Sequence, residues 1–484
     1  MTKASALALS LLTLLAPGLG AASLGMDGYL DQVRSGNDSL RSQRALDAAY
    51  ALQAKQPLTA YSPTFSGQFS RMDDQVIPVG ASALSPVETQ ALNWDANLSQ
   101  LLGTGTRVSL DYSGDNTSLI YAAFPASMAA EASAFQEFLP PSGYVLGQQV
   151  TLSLSQPLWR NFMAAEVDAA VNKAAADSDA ARAGNRYQAQ ALLFQARQAY
   201  ASLVTLRQVA EILKESLDRN QRILDWTRRK YEDNLADRVD VLQCEAALRQ
   251  VALNLEQNKL DEAKALVAFD TLRGESPTAE AGDLEPLTAP ASLPAAGPGR
   301  QDLEAAKAAL RSSDAIVAAV EQQFTPDISV FADLGMGDRN ADSGSYPSVL
   351  QGNHPDTVVG LKLTANLDVA LYHQVLAGAQ KARGSGEAAL ADRRRQVDQD
   401  WQQLRAAFDS VLQRLALARE LEGLQREKAD REKVRYEDGR TTDFQVLRFE
   451  DDYNLSRVQT LQLTAEAVTL DAQARYYNGD DQPW

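Results

Sequence analysis

Two hydrophobic periods share this chain, and they predict two kinds of element. From about Phe162 to Glu232 there is no proline and only one glycine, Gly184. Within that stretch Leu206, Ala210, Leu213, Leu217 and Leu224 recur at steps of four, three, four and seven, with polar Asn220 at the skipped position. This is the seam of a coiled coil. Roughly 70 residues at about 1.5 Å each predict a rod of about 105 Å, several times the thickness of a bilayer. A second helix is predicted from Val241 to about Arg273, carried by Val241, Cys244, Leu248, Val251 and Leu255 and closed by Gly274. Further along, the helical period returns from about Gln301 to Gln323, Leu371 to Glu437 and Thr442 to Tyr477.

The other period is two. Val150, Leu152, Leu154 and Leu158 alternate with Thr151, Ser153 and Ser155, and Val359, Leu361, Leu363 and Leu367 alternate with Gly360, Lys362 and Thr364. Such alternation predicts a strand between an apolar and a polar environment, lipid and a wet lumen being one such pair. Partner strands are expected at Thr64 to Arg71 and Pro326 to Asp338. Between the first pair lies an insertion, about Asp74 to Gly147. It contains a hairpin signature, Asn93 to Leu102 and Arg107 to Tyr112 around Gly103-Thr104-Gly105, then an aperiodic Ala-, Pro- and Phe-rich stretch, Ala122 to Pro141, read as a loop. The pattern leaves open whether this hairpin joins the other strands.

The order helix, strand, strand, very long helix, turn, long helix occurs twice. Lys230-Tyr231-Glu232-Asp233 matches Arg435-Tyr436-Glu437-Asp438, Val241-Leu242 matches Val446-Leu447, and Glu245 matches Glu450, all at one offset of 205. A fixed offset near half the chain reads as a duplication. The organisation follows: a signal peptide at 1–22, a first repeat at 23–274, a Pro/Ala/Gly linker at 275–299, a second repeat at 300–478 and a tail at 479–484. The signal peptide rests on Lys3, the apolar run Ala4 to Leu15, Pro17 and small residues Gly20-Ala21-Ala22, with cleavage expected before Ser23.

Composition narrows the function. A formal charge of −17 argues against a nucleic-acid partner. One cysteine, Cys244, excludes an intrachain disulfide and is expected to be a buried, inert thiol, and a count of two histidines, His354 and His373, argues against a histidine metal cluster. No Ser/His/Asp set, phosphate loop or carboxylate pair stands out, so neither an enzyme nor a cofactor or metal is expected. Trp159, Tyr144 and Tyr61 flank the strands, where interfacial aromatics sit.

About four strands per chain cannot close a sheet in lipid, where an open edge leaves backbone groups unpaired. Closure demands copies, and three would give twelve strands. At this point the sequence resembles the outer-membrane efflux proteins, the TolC family. The resemblance rests on Leu152-Ser-Leu-Ser-Gln-Pro-Leu158 entering a helix, on the duplicated Tyr231-to-Glu245 and Tyr436-to-Glu450 motif, and on Gly103-Thr-Gly-Thr106 before a strand. It implies an α+β membrane protein: a homotrimeric, 12-stranded outer-membrane β-barrel continued by a long α-helical periplasmic tunnel. It implies passive export, with a periplasmic adaptor (membrane fusion protein) and an inner-membrane RND or ABC transporter as partners. Val150, Leu152, Leu154, Val359, Leu361 and Leu363 would face outer-membrane lipid.

At the turn between the long helices of each repeat, Asp237 and Asp240, and Thr442 and Gln445, occupy the N-cap and N3 places of a capping box. Asn234 and Gly439 fall where a left-handed backbone is needed. The resemblance makes these turns the tip, where the tunnel closes and an adaptor docks, with Tyr231 and Tyr436 as gate aromatics. An acidic constriction in the family corresponds here to Asp240, which matches, and to Gln445 and Arg448, which do not; Asp443 lies two residues away. Arg448 is then expected to pair with Asp240 across the repeats. The competing reading is a periplasmic coiled-coil adaptor or structural protein, which shares the helices but has no need of duplicated amphipathic strands.

Overall fold

A computed structural model describes residues 23–75, 86–121, 144–276, 282–295, 300–340 and 354–484. The expected signal peptide and the Ala122–Pro141 loop fall outside the described residues. The elements are α1 (Met26–Gly36), α2 (Asp38–Gln53), β1 (Thr64–Gln75), β2 (Pro86–Leu101), β3 (Arg107–Tyr121), β4 (Tyr144–Pro157), α3 (Ala165–Glu232), α4 (Arg238–Arg273), α5 (Gln301–Gln323), β5 (Asp327–Asn340), β6 (His354–Thr364), α6 (Val369–Glu437) and α7 (Asp443–Asn478). The duplication is plain in the helix lengths. α3 and α6 have 68 and 69 residues, and α4 and α7 have 36 each.

Two compact units divide the chain, and each repeat contributes to both. One comprises residues up to 48, 181–305 and 391–484; the other comprises 49–180 and 306–390. In the first, Tyr29, Leu30, Val33 and Leu40 from α1 and α2 close over Leu193, Tyr200 and Leu203 of α3 and Phe269 of α4. Tyr29 stacks on Phe269 at 4.0 Å between ring centres and donates its hydroxyl to the Phe269 carbonyl at 3.0 Å. The break between α1 and α2, which the periodicity does not predict, is fixed by Asn37. Its side-chain oxygen accepts the Leu40 N–H at 3.0 Å and its amide donates to the Leu272 carbonyl at 2.7 Å. Salt bridges between α3 and α7 tie the repeats together: Arg219 to Glu450 at 2.9 Å and Arg457 to Glu215 at 2.8 Å.

The second unit is built on a single six-stranded antiparallel sheet in sequence order, β1-β2-β3-β4-β5-β6. Here the expectation of about four strands is corrected. The partner expected for β4, β1, is displaced from it by the β2–β3 hairpin, which pairs along its length on both sides. Thr64 lies opposite Ser99, Leu98 opposite Leu110, and Leu110 opposite Leu152. The two sheet strands of the second repeat complete the order, with Leu152 opposite Leu334 and Ala332 opposite Val359.

The hairpin is also fastened at its turn. Gly105 has φ +81°, and a side chain there would run into the Asn161 carbonyl. The Leu102 N–H donates to the Thr106 carbonyl at 2.8 Å. Gln156, from the Gln-Pro-Leu bend, accepts the Thr106 hydroxyl and donates to the Thr104 carbonyl at 3.2 Å. Beyond that bend the chain reaches α3 through Met163 and Ala164, whose φ of 54° and 57° are left-handed. The helix therefore begins at Ala165 rather than at Phe162.

Candidate functional site

Opposed residues in an antiparallel pair share a face, and neighbours along a strand alternate. Carrying the register across the sheet separates two surfaces. One bears Phe65 and Phe69, Leu98, Leu110, Tyr112 and Ile120, Leu154, Val330, Leu334, Met336, Val359, Leu361 and Leu363, all of them exposed. The other bears Ser66, Gln68, Ser70, Asn93, Asp95, Asn97, Asp111, Ser113, Asp115, Thr151, Ser153, Asp333 and Lys362. Among the exposed large apolar residues on the described strands, only Met72 and Val358 lie on the polar side.

Exposure of such a surface is far from the norm. Phe65 is 75 % exposed, Val359 69 % and Leu361 67 %. Contiguous apolar surface of this kind marks a contact with lipid or another protein. The polar side is concave: a cavity of about 770 Å³ is lined by Gln68, Ser70, Asn93, Asp95, Asp115 and Gln149 among others. Of the residues singled out from sequence, Val150, Leu152, Leu154, Val359, Leu361 and Leu363 all fall on the apolar side. Val150 and Leu152 are half-buried between neighbouring strands, and the others are exposed. Sequence reasoning missed Trp94, Leu98 and Leu110, which extend this side through the hairpin. Their alternation with Asp95, Asn97 and Asp111 is the same period-two signal. Among the described residues no helix is long and apolar enough to cross a membrane.

The helix turns are the second candidate surface. Each long helix ends with the same pair of bonds. Leu235 N–H donates to the Lys230 carbonyl at 2.7 Å and Asn234 N–H to Tyr231 at 3.1 Å; Arg440 N–H donates to Arg435 at 2.8 Å and Gly439 N–H to Tyr436 at 2.9 Å. This is the Schellman closure, and it needs a left-handed residue at Asn234 (φ 59°) and Gly439 (φ 69°). The returning helices start as expected. The Asp240 carboxylate accepts the Asp237 N–H at 3.0 Å, and Thr442 caps α7 by accepting the Gln445 N–H at 3.4 Å.

The two turns adjoin. Leu224, Val241 and Cys244 of the first repeat pack with Leu447 of the second. A cleft of about 180 Å³ lies between them, lined by Lys230, Leu235, Asp240, Thr442 and Phe444 among others. Cys244 is buried, as its place on the apolar seam implied.

The matched tyrosines are not equivalent. Tyr436 lies 6.0 Å from Trp226 and takes the Lys230 ammonium 4.9 Å from its ring centre, whereas Tyr231 is 43 % exposed. Sequence reasoning named Lys230 only as part of the motif and missed Trp226. It also missed the exposed Leu235 and Val239, and named Leu242 only as part of the motif; all three stand around the first turn. Their spacing of four and three, out of phase with buried Val241 and Cys244, was the available signal. Arg448 is exposed, and Asp240 is engaged with the Asp237 backbone; no ion pair joins Arg448 to Asp240 within the chain. Asp443 opens α7, and its side chain is outside the described residues.

Buried charge beside the second turn has partners. Glu432 is 5 % exposed, lies 3.0 Å from Arg435 and faces the Thr441 hydroxyl, which also lies against Gln445. Farther along, Arg228 at 2.7 Å from Glu245 holds that carboxyl below its usual range by a direct hydrogen bond. Arg457 does the same for Glu215.

With this geometry in hand, likeness to known proteins is informative. Residues 142–275 match the sequence profile of the family described as Outer membrane efflux protein. A search of curated protein sequences finds no match. Among solved structures the chain is similar to the outer membrane protein VceC from Vibrio cholerae, at 16 % identity and TM-score 0.68, over 94 % of this chain and 96 % of that one. It is similar to the outer-membrane channel OprN at 18 % identity and TM-score 0.67, over 95 % and 91 %. The Campylobacter jejuni CmeC outer membrane channel matches at 14 % identity and TM-score 0.63, over 94 % and 86 %.

Proposed function

Starting from a chain whose residues 142–275 match the outer membrane efflux protein profile, and whose fold is that of the TolC-like outer-membrane channels, we propose that it is the exit duct of a tripartite efflux or type I secretion system. The observation that carries this reading is the two-sided sheet, with large apolar side chains uncovered on one side and a polar concave surface on the other. Water on both sides would leave each fully exposed Phe, Val or Leu unfavourable by about 1.5–3 kcal/mol relative to an apolar environment. Outer-membrane lipid against Phe65, Leu154, Val359, Leu361 and Leu363 removes that cost, and the polar side then lines a wet lumen.

One chain cannot complete such a wall, because β1 and β6 each pair on one side only. Three copies close it, and the helices continue it as a periplasmic tunnel. The duct conducts passively. The turns at Tyr231–Asp240 and Tyr436–Arg448 form the closing tip, where a periplasmic adaptor docks and links the duct to an RND or ABC transporter of the inner membrane. Exposed Leu235, Val239, Leu242 and Phe444 supply apolar docking surface there. A coiled-coil adaptor, the competing reading, would have no use for an uncovered apolar sheet.

Fractionation tests the proposal. The protein should stay with outer membranes through salt and carbonate washes, and detergent should release it as a trimer. Recovery in the soluble periplasmic fraction as a monomer with an intact β signal in circular dichroism would end this reading.

A further inference from the structure

We propose that the β2–β3 hairpin is part of the transmembrane wall itself, so that the closed barrel has eighteen strands, three copies of a six-stranded sheet, rather than twelve. The inference rests on the duct reading above and adds the width of the pore.

Three independent features carry it. First, the hairpin occupies the middle of the sheet. β2 pairs with β1 and β3 pairs with β4, so removing it would strand β1 from the rest. Second, its apolar side continues the band on the flanking strands. Leu98 lies between Phe65 and Leu110, and Leu110 lies between Leu98 and Leu152. Leu98, Leu110 and Tyr112 are exposed, so they share the environment that Phe65 and Leu361 require. Trp94 covers Gly114 directly across the pair, and a side chain at Gly114 would collide with the indole. Such an aromatic over a glycine pins the register. Third, the hairpin turn is tied by Gln156 to the bend where β4 becomes helix. The turn is therefore held at the level where the wall ends and the helices begin.

Closure follows from the edges. The unpaired edge of β1 in one copy meets the unpaired edge of β6 in the next, since neither can face lipid with open N–H and C=O groups. At about 40° tilt and about 4.8 Å between strands, going from twelve to eighteen strands widens the backbone radius from about 12 Å to about 18 Å. Walls of that size enclose an aqueous channel. Selection of cargo by size then falls to the helical section, not to the membrane crossing.

The test uses the full trimer in lipid bilayers, with Cys244→Ser so that an added cysteine is the sole thiol. Nitroxide labels go on Leu98 and Leu110 of the hairpin, on Leu152 and Leu361 of the flanking wall, and on Asn97 and Ser109 of the opposite side. The ratio of collisions with oxygen, which partitions into acyl chains, to collisions with a water-soluble nickel chelate reads the environment. Leu98 and Leu110 should match Leu152 and Leu361 within about twofold, and exceed Asn97 and Ser109 by about tenfold. Nickel access at Leu98 and Leu110 with oxygen preference retained at Leu152 and Leu361 would remove the hairpin from the wall and overturn the proposal alone. Nickel access at all four positions would overturn the duct reading as well. A cross-section of the trimer by electron cryomicroscopy should count eighteen strands, and twelve would overturn the proposal.

Discussion

The two helix turns of this chain share a backbone and almost nothing else. Asn234 and Gly439 have φ values 10° apart, and both turns close with the same donor and acceptor positions. Yet the first is fastened by a carboxylate on the backbone, Asp240 to Asp237, and shows Leu235, Val239 and Leu242 to solvent. The second is fastened by side chains: Glu432, Arg435, Thr441 and Gln445 meet, and Leu447 is buried where its counterpart Leu242 is exposed. Duplication therefore preserved what the hydrogen-bond geometry demands and released the rest. The first turn is the apolar, outward one, and the second is the polar one anchored on buried charge.

The contrast can be broken at Glu432. Glu432→Ala leaves Arg435 and Thr441 without their buried acceptor, and the expected cost is about 1–3 kcal/mol. Its counterpart change, Thr227→Val, removes a hydroxyl that donates to the Ile223 carbonyl at 2.9 Å and lies 3.6 Å from the Cys244 thiol, both uncharged partners, and should cost about 1 kcal/mol or less. Thermal unfolding of the two variants in detergent decides; equal losses would mean the turns are held alike.

Backbone geometry gives the next effect. Gly439→Val must place a β-branched residue at φ 69°, at a cost of about 1–2 kcal/mol. Export should fall while trimer assembly is unchanged. Asn234→Gly should be neutral within a few tenths of a kcal/mol, because the site is already left-handed. Hydrogen exchange over 434–446 and 229–241 measures both. Normal exchange and export in Gly439→Val would show that the second turn does not need its glycine.

A smaller effect concerns the inter-repeat pair Glu215–Arg457. Arg457 lowers the Glu215 carboxyl in the folded protein, so the pair adds stability above the unfolded carboxylate range. That contribution disappears as pH falls through the lowered folded value. Glu215 is half exposed, which limits the gain to a few tenths of a kcal/mol. Glu215→Gln should therefore narrow the gap between melting temperatures at pH 7 and pH 3; an unchanged gap would dismiss the pair. The smallest expected change is at Arg448. Arg448→Glu should alter stability by less than about 0.5 kcal/mol, since the residue is exposed and makes no pair with Asp240 in its own chain. A rise in single-channel conductance would place its partner on another copy.

Much of this was readable in the residues. The offset of 205 located both turns, and Asp237, Thr442, Asn234 and Gly439 disclosed their caps and left-handed positions because capping chemistry is local. Strand alternation at Val150–Leu154 and Val359–Leu363 disclosed the apolar side for the same reason. What stayed hidden was pairing. Nothing local tells the Asn93–Tyr112 hairpin that it lies between β1 and β4, so four strands were expected where six occur. Nor does the motif distinguish Tyr231 from Tyr436: the difference is made by Trp226, remote in sequence from Tyr436. The break at Asn37 likewise depends on the Leu272 carbonyl, far along the chain.

The strand order also sets a folding problem. Four of the five pairings within the sheet join strands that follow one another without a long helix between them. The exception is β4 with β5, where Pro157 meets Ser329 and Leu146 meets Asn340 across α3, α4 and α5. Closing that large loop is the slow, high-contact-order step. Until the second repeat arrives, the first-repeat meander exposes a long edge on β4, an open template for strands of other chains. Chain release, chaperone capture and neighbour recruitment therefore all bear on one seam. By contact order, β1 to β4 should pair first, β4 to β5 next, and the outer edges last.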